Sequence, residues 1–306
     1  MMFRSLILGT AKFPPLRSLV TKSPLFRPLV RRFIAGETLD DAMRAAEAEC
    51  RKGLFVSLDL LGENVQTESE AILSRKAYEE VIDRIAHSEF RDAINISIKL
   101  TALGLDQGDE VAEANYRTLL ERAAQHNIFV RADMEASEYT ERTIAMVERV
   151  FPDLPNTGTV LQSYLHRTPD DVTRMIALGA RVRIVKGAYL EPASVAHQEK
   201  SRVDAEYLAA AKRLLREGHY PALATQDEAV IRELKQFVAD EGIAKESFEW
   251  QMLYGIRRDL QEGLRAEGFN VRVYIPYGNQ WYPYFTRRLA ERPANLMFIV
   301  KSLGRK

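Results

Sequence analysis

Eight short apolar, β-rich runs alternate with helix-patterned stretches along the chain, and this alternation limits the fold more than any other feature. The runs are Leu54–Leu60, Ala93–Leu100, Ile128–Met134, Thr159–Tyr164, Arg181–Lys186, Pro221–Thr225, Phe248–Leu253 and Asn270–Ile275. Near-continuous apolar character suits parallel strands buried on both faces. Between the runs, Tyr78, Val81, Ile82 and Ile85 follow the 3.6-residue period of a helix. So do Leu208, Ala211 and Leu215, and then Ile231, Leu234 and Val238. Thr67 with Glu70 makes a capping-box pattern, and Thr168 before Pro169 reads as an N-cap with proline at the first helical position. Thr38–Asp41 opens a further helix ahead of the first run.

The alternation predicts an α/β chain, a (β/α)8 TIM-like barrel with an N-terminal helical or irregular extension. An open doubly wound sheet is the other arrangement. No GxGxxG follows any run, so a dinucleotide would lack the usual open-sheet cradle. A barrel of about 250 residues plus an extension accounts for the 306 residues as one domain. The expected division is a basic arm over 1–36 and a single barrel over 37–306, since no low-complexity linker interrupts Leu54–Glu291.

Charge and cysteine content exclude several functions. The 43 basic and 43 acidic residues cancel, which argues against a nucleic-acid binder. Cys50 is the only cysteine, so an intramolecular disulfide is impossible and a cysteine-based metal site is disfavoured. The five histidines are scattered, and no metal site is expected. The first 36 residues hold Arg4, Lys12, Arg17, Lys22, Arg27, Arg31 and Arg32 and no acid. Three readings fit this arm: a cover on the barrel, a basic surface that touches anionic membrane, or a cleaved transit peptide. No apolar run approaches the ~20 residues of a transmembrane helix.

Polar residues cluster at one end of the runs. In order these are Asp59 and Glu63, Lys99 and Thr101, Asp133 and Glu135, Gln162, Arg183 and Lys186, Thr225 to Asp227, Gln251 and Tyr274. Barrel active sites lie at the C-terminal ends of the strands. Charges in apolar strands are costly unless paired or used. The pattern therefore predicts a shared site there, against a ring of ion pairs such as Lys99 with Asp133. The last helical stretch reads WYPYFTRRLAE over Trp281–Glu291. Tyr284, Arg288 and Glu291 can share a helix face, and arginine forks suit a carboxylate or phosphate. Lys186–Tyr189 follows the fifth run directly, with a glycine that admits close ligand approach and a lysine that offers a point charge.

These residues carry a resemblance. RIVKGAYLE over Arg183–Glu191 resembles the flavin-binding segment of proline dehydrogenases, and YIPYGNQWYPYFTRRLAE over Tyr274–Glu291 resembles their last strand and eighth helix. SLDLLGE, SIKLTALG, DMEAS, LQSYL, ATQD and EWQMLYGI fall in the family's order at matching strand ends. The resemblance runs from about Leu54 to the C-terminus. It implies an FAD-dependent oxidation of L-proline to 1-pyrroline-5-carboxylate, with hydride passing from proline C5 to flavin N5 and electrons on to a membrane quinone. The length matches the compact monofunctional enzymes, which leaves pyrroline-5-carboxylate dehydrogenase to a separate protein. The implied location is the cytoplasm, peripheral on the inner face of the cytoplasmic membrane, or the mitochondrion if the source is eukaryotic.

The resemblance also implies roles. Arg287 and Arg288 grip the proline carboxylate and Lys99 positions the same end. Tyr274, Tyr284 and Leu253 wall the ring, and Tyr189 closes over it. Asp133 lies beside Lys99 and Tyr274 and sets their orientation, and Arg183 sits near flavin N5. Met134, Gln162, Lys186, Gly187, Ala188, Thr225, Gln226 and Glu291 contact the cofactor, and Glu63 pairs with Arg287 as a gate. Many relatives have histidine where this chain has Gln226, which puts the adenosine contacts in doubt but not the reaction. Composition, periodicity and residue chemistry without the resemblance imply a barrel with an anion-binding site. They leave open a Schiff-base enzyme using Lys99 or Lys186, or a non-catalytic amino-acid-binding protein.

Overall fold

The computed structural model describes residues 27–291, less the side chains of residues 27–29, 287 and 289–291. Eight parallel strands close into one barrel in chain order, so the expected (β/α)8 fold forms. The strands are β1 (Phe55–Leu60), β2 (Ile94–Ile98), β3 (Val130–Ala132), β4 (Thr157–Gln162), β5 (Arg181–Val185), β6 (Ala222–Ala224), β7 (Glu249–Leu253) and β8 (Asn270–Tyr277). Two helices precede the barrel, α1 (Arg27–Phe33) and α2 (Leu39–Cys50). Each strand is then followed by its own helix: α3 (Glu68–Ala86), α4 (Asp109–Ala124), α5 (Ser137–Val150), α6 (Thr168–Leu178), α7 (Lys200–Glu217), α8 (Glu228–Asp240), α9 (Arg258–Ala266) and α10 (Tyr282–Glu291).

Strand parity separates two environments, because successive side chains point to opposite faces. Ile94, Ile96 and Ile98, then Val271, Val273 and Ile275, pack outward into the shell beneath the helices. Trp250, fully buried, lies there edge-on to Phe248 at 5.8 Å and to Phe269 at 6.2 Å. Such ring pairs are worth about 0.5–1.5 kcal/mol beyond the area they bury. The inward positions are different. Ser57 and Asp59, Ser97 and Lys99, Arg131 and Asp133, Arg183, Glu249 and Gln251, and Arg272 are buried and polar or charged. The barrel interior is thus a hydrogen-bonded network rather than the usual packing of branched apolar side chains.

Local signals hold with corrections. Thr38 and Asp41 make a full capping box on α2. The Thr67 side chain accepts from Glu70 N, but the Glu70 carboxylate turns to Gln66 N, at 2.6 Å. Thr168 is not the cap of α6. It lies inside the helix and its hydroxyl donates to Gln162 O at 2.6 Å, a stronger claim on a buried hydroxyl than a cap at the surface. β4 begins two residues before the expected Thr159, and β8 runs past Ile275 to Tyr277, because β1 continues to pair with it there.

Of the basic arm, residues 1–26 lie outside the described residues. From α1 onward the chain packs across the C-terminal mouth of the barrel. Phe33 and Ile34 are buried with Leu61, Ile256, Trp281 and Phe285. Ala35 N donates to Pro276 O at 3.0 Å. A Cβ on Gly255 would meet Arg32 O at 1.6 Å, so only glycine lets α1 approach this closely.

Candidate active site

A cavity of about 700 Å³ opens at the C-terminal mouth. That lies within the ~300–1,000 Å³ of small-molecule and cofactor sites. It gathers most residues named from the sequence: Asp59, Lys99, Asp133, Met134, Gln162, Arg183, Lys186, Gly187, Ala188, Tyr189, Thr225, Gln226, Gln251, Leu253, Tyr274, Tyr284 and Arg288. The strand ends supply the floor, and α10 supplies Tyr284 and Arg288 from the rim. Trp281 anchors α10, edge-on to Phe285 at 5.8 Å and donating its indole N–H to Glu37 at 3.2 Å.

The charges at the floor are paired in a specific way. Lys99 Nζ donates to Asp59 Oδ1 at 2.7 Å. Burial alone would lower the lysine pKa, but the Asp59 carboxylate, with Tyr78 and Asp133 beyond it, raises it well above the usual value. Lys99 is thus engaged at 2.7 Å with Asp59, a partner whose own carboxyl burial pushes up, and this engagement speaks against a free amine nucleophile at this residue. Lys99 was expected beside Asp133, yet its hydrogen-bond partner is Asp59. Asp133 instead accepts from Arg183 Nη1 at 2.8 Å and from the Tyr274 hydroxyl at 2.7 Å. Arg183 also lies 5.0 Å over the Tyr274 ring. Burial and the Asp133 carboxylate push the Tyr274 phenol far up, so it keeps its proton.

The other end of the cavity is built from backbone and loops. Gly187 has φ +120°, and a Cβ there would meet the Tyr164 ring at 2.3 Å. Its backbone forms a wall that no side chain could occupy. Lys186 is held by Asp204 at 2.6 Å and Asp227 at 3.0 Å, an arrangement the sequence reading did not include. Burial pushes both carboxyls up, but Lys186 and Lys200 hold them below the usual range. Gln162 Nε2 donates to Glu135 O at 2.9 Å, which leaves its side-chain oxygen to accept from a ligand. Tyr189 lies on the loop after β5. That loop is latched by Glu191, whose carboxylate accepts from Ser137 N at 2.7 Å and from the Ser137 hydroxyl at the start of α5.

The side chains of Arg287 and Glu291 lie outside the described residues. Glu63 is half-buried on the segment after β1 and is not itself one of the cavity-lining residues. That segment is tied down by Asn64 N donating to Thr101 Oγ1 at 3.0 Å, and the Thr101 hydroxyl in turn donates to Glu135. Burial pushes the Glu135 carboxyl up to about 7, against the pull of Thr101 and Lys99 and helped by Glu63. Arg257, in the left-handed region at φ 50°, lines the cavity without having been named.

A family model described as Proline dehydrogenase matches residues 42–301. Proline dehydrogenase 1 of Bacillus subtilis (strain 168) is 39% identical over 276 residues, covering 90% of this chain and 91% of the relative. Proline dehydrogenase of Deinococcus radiodurans is 37% identical over 305 residues, 99% of this chain and 98% of the relative. Proline utilization A of Bdellovibrio bacteriovorus, solved after inactivation by N-propargylglycine, superposes with a TM-score of 0.81 at 22% identity; the match covers 95% of this chain but 36% of that larger one. That likeness concerns the fold. The barrel and its floor define a (β/α)8 enzyme with a charged cavity at the strand C-termini. The chain belongs to the proline dehydrogenase family, oxidoreductases that act on proline in its catabolism and use a flavin as a general property.

Proposed function

We propose that this cavity oxidises L-proline to 1-pyrroline-5-carboxylate with FAD. The observation that carries the reading is the two-ended cavity itself. One end presents Arg288, Tyr284, Tyr274 and the Lys99–Asp59 pair; the other presents Gly187, Lys186, Thr225 and Gln226; Arg183 stands between them. The residues present fit a flavin dinucleotide. The Gly187 backbone admits a flat group where any side chain would collide with Tyr164. Lys186 keeps a third N–H beyond its two aspartates for a phosphate oxygen. A flavin held there by Gly187, Lys186, Thr225 and Gln226 would supply the two-electron acceptor for hydride from proline C5, with a quinone as the onward electron acceptor.

The chain's own residues bind and orient. Arg288, with Arg287, grips the carboxylate as a fork, and Lys99 adds positive charge at the same end. Tyr274, Tyr284 and Leu253 wall the ring, and Tyr189 covers it. Arg183 supplies a fixed positive charge where negative charge develops. Asp133 orients rather than abstracts, since both of its oxygens already accept hydrogen bonds. The amine proton therefore leaves to solvent. Met134, Gln162, Ala188 and Gln226 complete the cofactor wall, and Glu63 gates entry. Residues 37–306 act as one catalytic unit.

The test is an absorption spectrum before and after anaerobic L-proline. Bleaching of an oxidised-flavin band by L-proline and not by D-proline is the expected result. A colourless chain that stays colourless after added FAD would remove the flavin reading, and a yellow chain blind to proline would remove the substrate. No helix among the described residues is long and apolar enough to cross a membrane. The excess of basic residues in the arm supports peripheral contact with an anionic membrane as the route to a quinone. Liposome co-sedimentation compares the full chain with a variant carrying glutamine at Arg4, Lys12, Arg17 and Lys22. Equal sedimentation would discard the membrane contact.

A further inference from the structure

Beneath the site lies a second tier of buried polar groups to which the reaction gives no task. Arg272 Nε donates to both oxygens of Glu249, at 2.9 and 3.0 Å. Gln251 Nε2 donates to Glu249 Oε1, and Gln251 Oε1 accepts from Arg183 Nε. All four side chains are buried. We propose that Gln251, seated on the Glu249–Arg272 pair, is a positioning residue that fixes the plane of Arg183 beneath the flavin; this rests on the function proposed above.

Donor and acceptor chemistry force the orientation. Arginine only donates and an ionised carboxylate only accepts. Burial would push Glu249 up, but Arg272 and Arg131 hold its carboxyl below the usual range, so it is ionised. The Gln251 amide can therefore turn only one way, with nitrogen to Glu249 and oxygen to Arg183. That leaves Arg183 no freedom in its plane. Nε is held by Gln251, Nη1 by Asp133 at 2.8 Å and Nη2 by Ser97 Oγ at 3.1 Å. The remaining N–H bonds of its two Nη atoms are then set in direction by three strands at once. Neutrality of Gln251 also matters. A carboxylate at this position would offset the Arg183 charge and crowd Glu249. The Arg272–Glu249 pair thus acts on the site through one amide, without touching the cavity, whose lining includes Gln251 and Arg183 but neither Glu249 nor Arg272.

The experiment compares Gln251→Leu and Gln251→Glu with the parent chain. It reads kcat and KM for L-proline, the midpoint potential of the bound flavin titrated with a chemical reductant and indicator dyes, and the melting temperature. Gln251→Leu should lower kcat about tenfold, less than the ~10²–10³ for outright loss of a donor at a developing charge. KM should stay within about twofold, since the carboxylate grip is remote. The potential should fall in both variants and further in Gln251→Glu, because less positive charge reaches the reduced flavin. An unchanged potential in both would overturn the proposal. So would a lower melting temperature with kcat and KM changed together and no potential shift, which is the signature of a merely structural role. The potential is read without proline. A parent chain that binds flavin but ignores proline would therefore sink the substrate reading and still test the positioning role. A chain that binds no flavin would sink both.

Discussion

The barrel's two ends hold similar numbers of charges to different effect. Toward the N-terminal end the charges are enclosed, with Arg131 Nε left buried and without a hydrogen-bond partner among the described residues. Arg272 is bonded to Glu249 and donates to Val56 O at 2.6 Å, with its guanidinium 5.2 Å over Phe55. Arg131 donates to the carbonyls of Thr159 and Arg181 at 3.2 and 3.3 Å, 4.9 Å over Phe129. At the C-terminal end Lys99–Asp59 and Arg183–Asp133–Tyr274 are as well bonded but face a cavity. Buried ion pairs contribute little net stability, because desolvation offsets their attraction. The difference therefore lies in the open side: at one end the charges hold one another, and at the other they hold one another in readiness for a ligand.

The sharpest break is at the closed end. Glu249→Ala would leave Arg272 and Arg131 buried without their carboxylate. Burial already pulls Arg131 down to about 9 with Glu249 in place. Removing one member of such a cluster costs about 3–5 kcal/mol. The expected result is a large fall in the urea midpoint with or without flavin. A loss under about 1 kcal/mol would show that the closed end is not the structural one.

At the open end the largest expected effect is on pH. Glu135 has its carboxyl raised to about 7 from 4.5, so the folded chain binds this proton more tightly than the unfolded chain does. Its contribution is complete below about pH 4.5 and is lost as pH rises through 7, a span worth about 3 kcal/mol. Glu135→Gln should flatten that part of the stability profile. Unfolding by urea at pH 5, 6, 7 and 8 checks it, and parallel profiles for the two chains would refute the assignment.

Arg288→Met comes next. It removes charge-assisted hydrogen bonds worth about 2–3 kcal/mol, on the order of a 30- to 150-fold rise in KM for proline, with flavin retained. Steady-state kinetics and the flavin spectrum check both parts. Unchanged saturation by proline would end the carboxylate role.

How much of this was legible in the sequence divides along the same line. The repeating alternation announced the barrel, and the polar strand ends announced the floor, because side-chain parity along a strand is local. Pairings were not local. Asp59 lies opposite Ser97 in the β1–β2 register, one inward position below Lys99, and this step makes Asp59 the partner of Lys99. Asp133 reaches past β4 to Arg183 on β5 and across the barrel to Tyr274 on β8, and neither contact lies between neighbouring strands. Gln251 was visible as a polar strand residue two positions from Glu249 on β7, but the Arg272 that holds Glu249 comes alongside only once β7 and β8 are aligned. Lys186 looked like a free phosphate ligand because Asp204 lies on a helix whose rotation about the barrel no motif encodes.

The smallest expected effect tests the cover between the open end and solvent. Glu191 caps α5 from another loop, since the residue at the N-cap position, Ala136, offers no side-chain bond of its own. Loss of such a cap costs about 1 kcal/mol. Glu191→Ala should lower global stability by no more than that. Its larger consequence should fall on the loop that carries Tyr189, as faster amide exchange over residues 187–191 and a modest rise in KM for proline. If exchange over that loop is unchanged while α5 frays, the contact serves the helix and not the cover, and the open end is closed by packing alone.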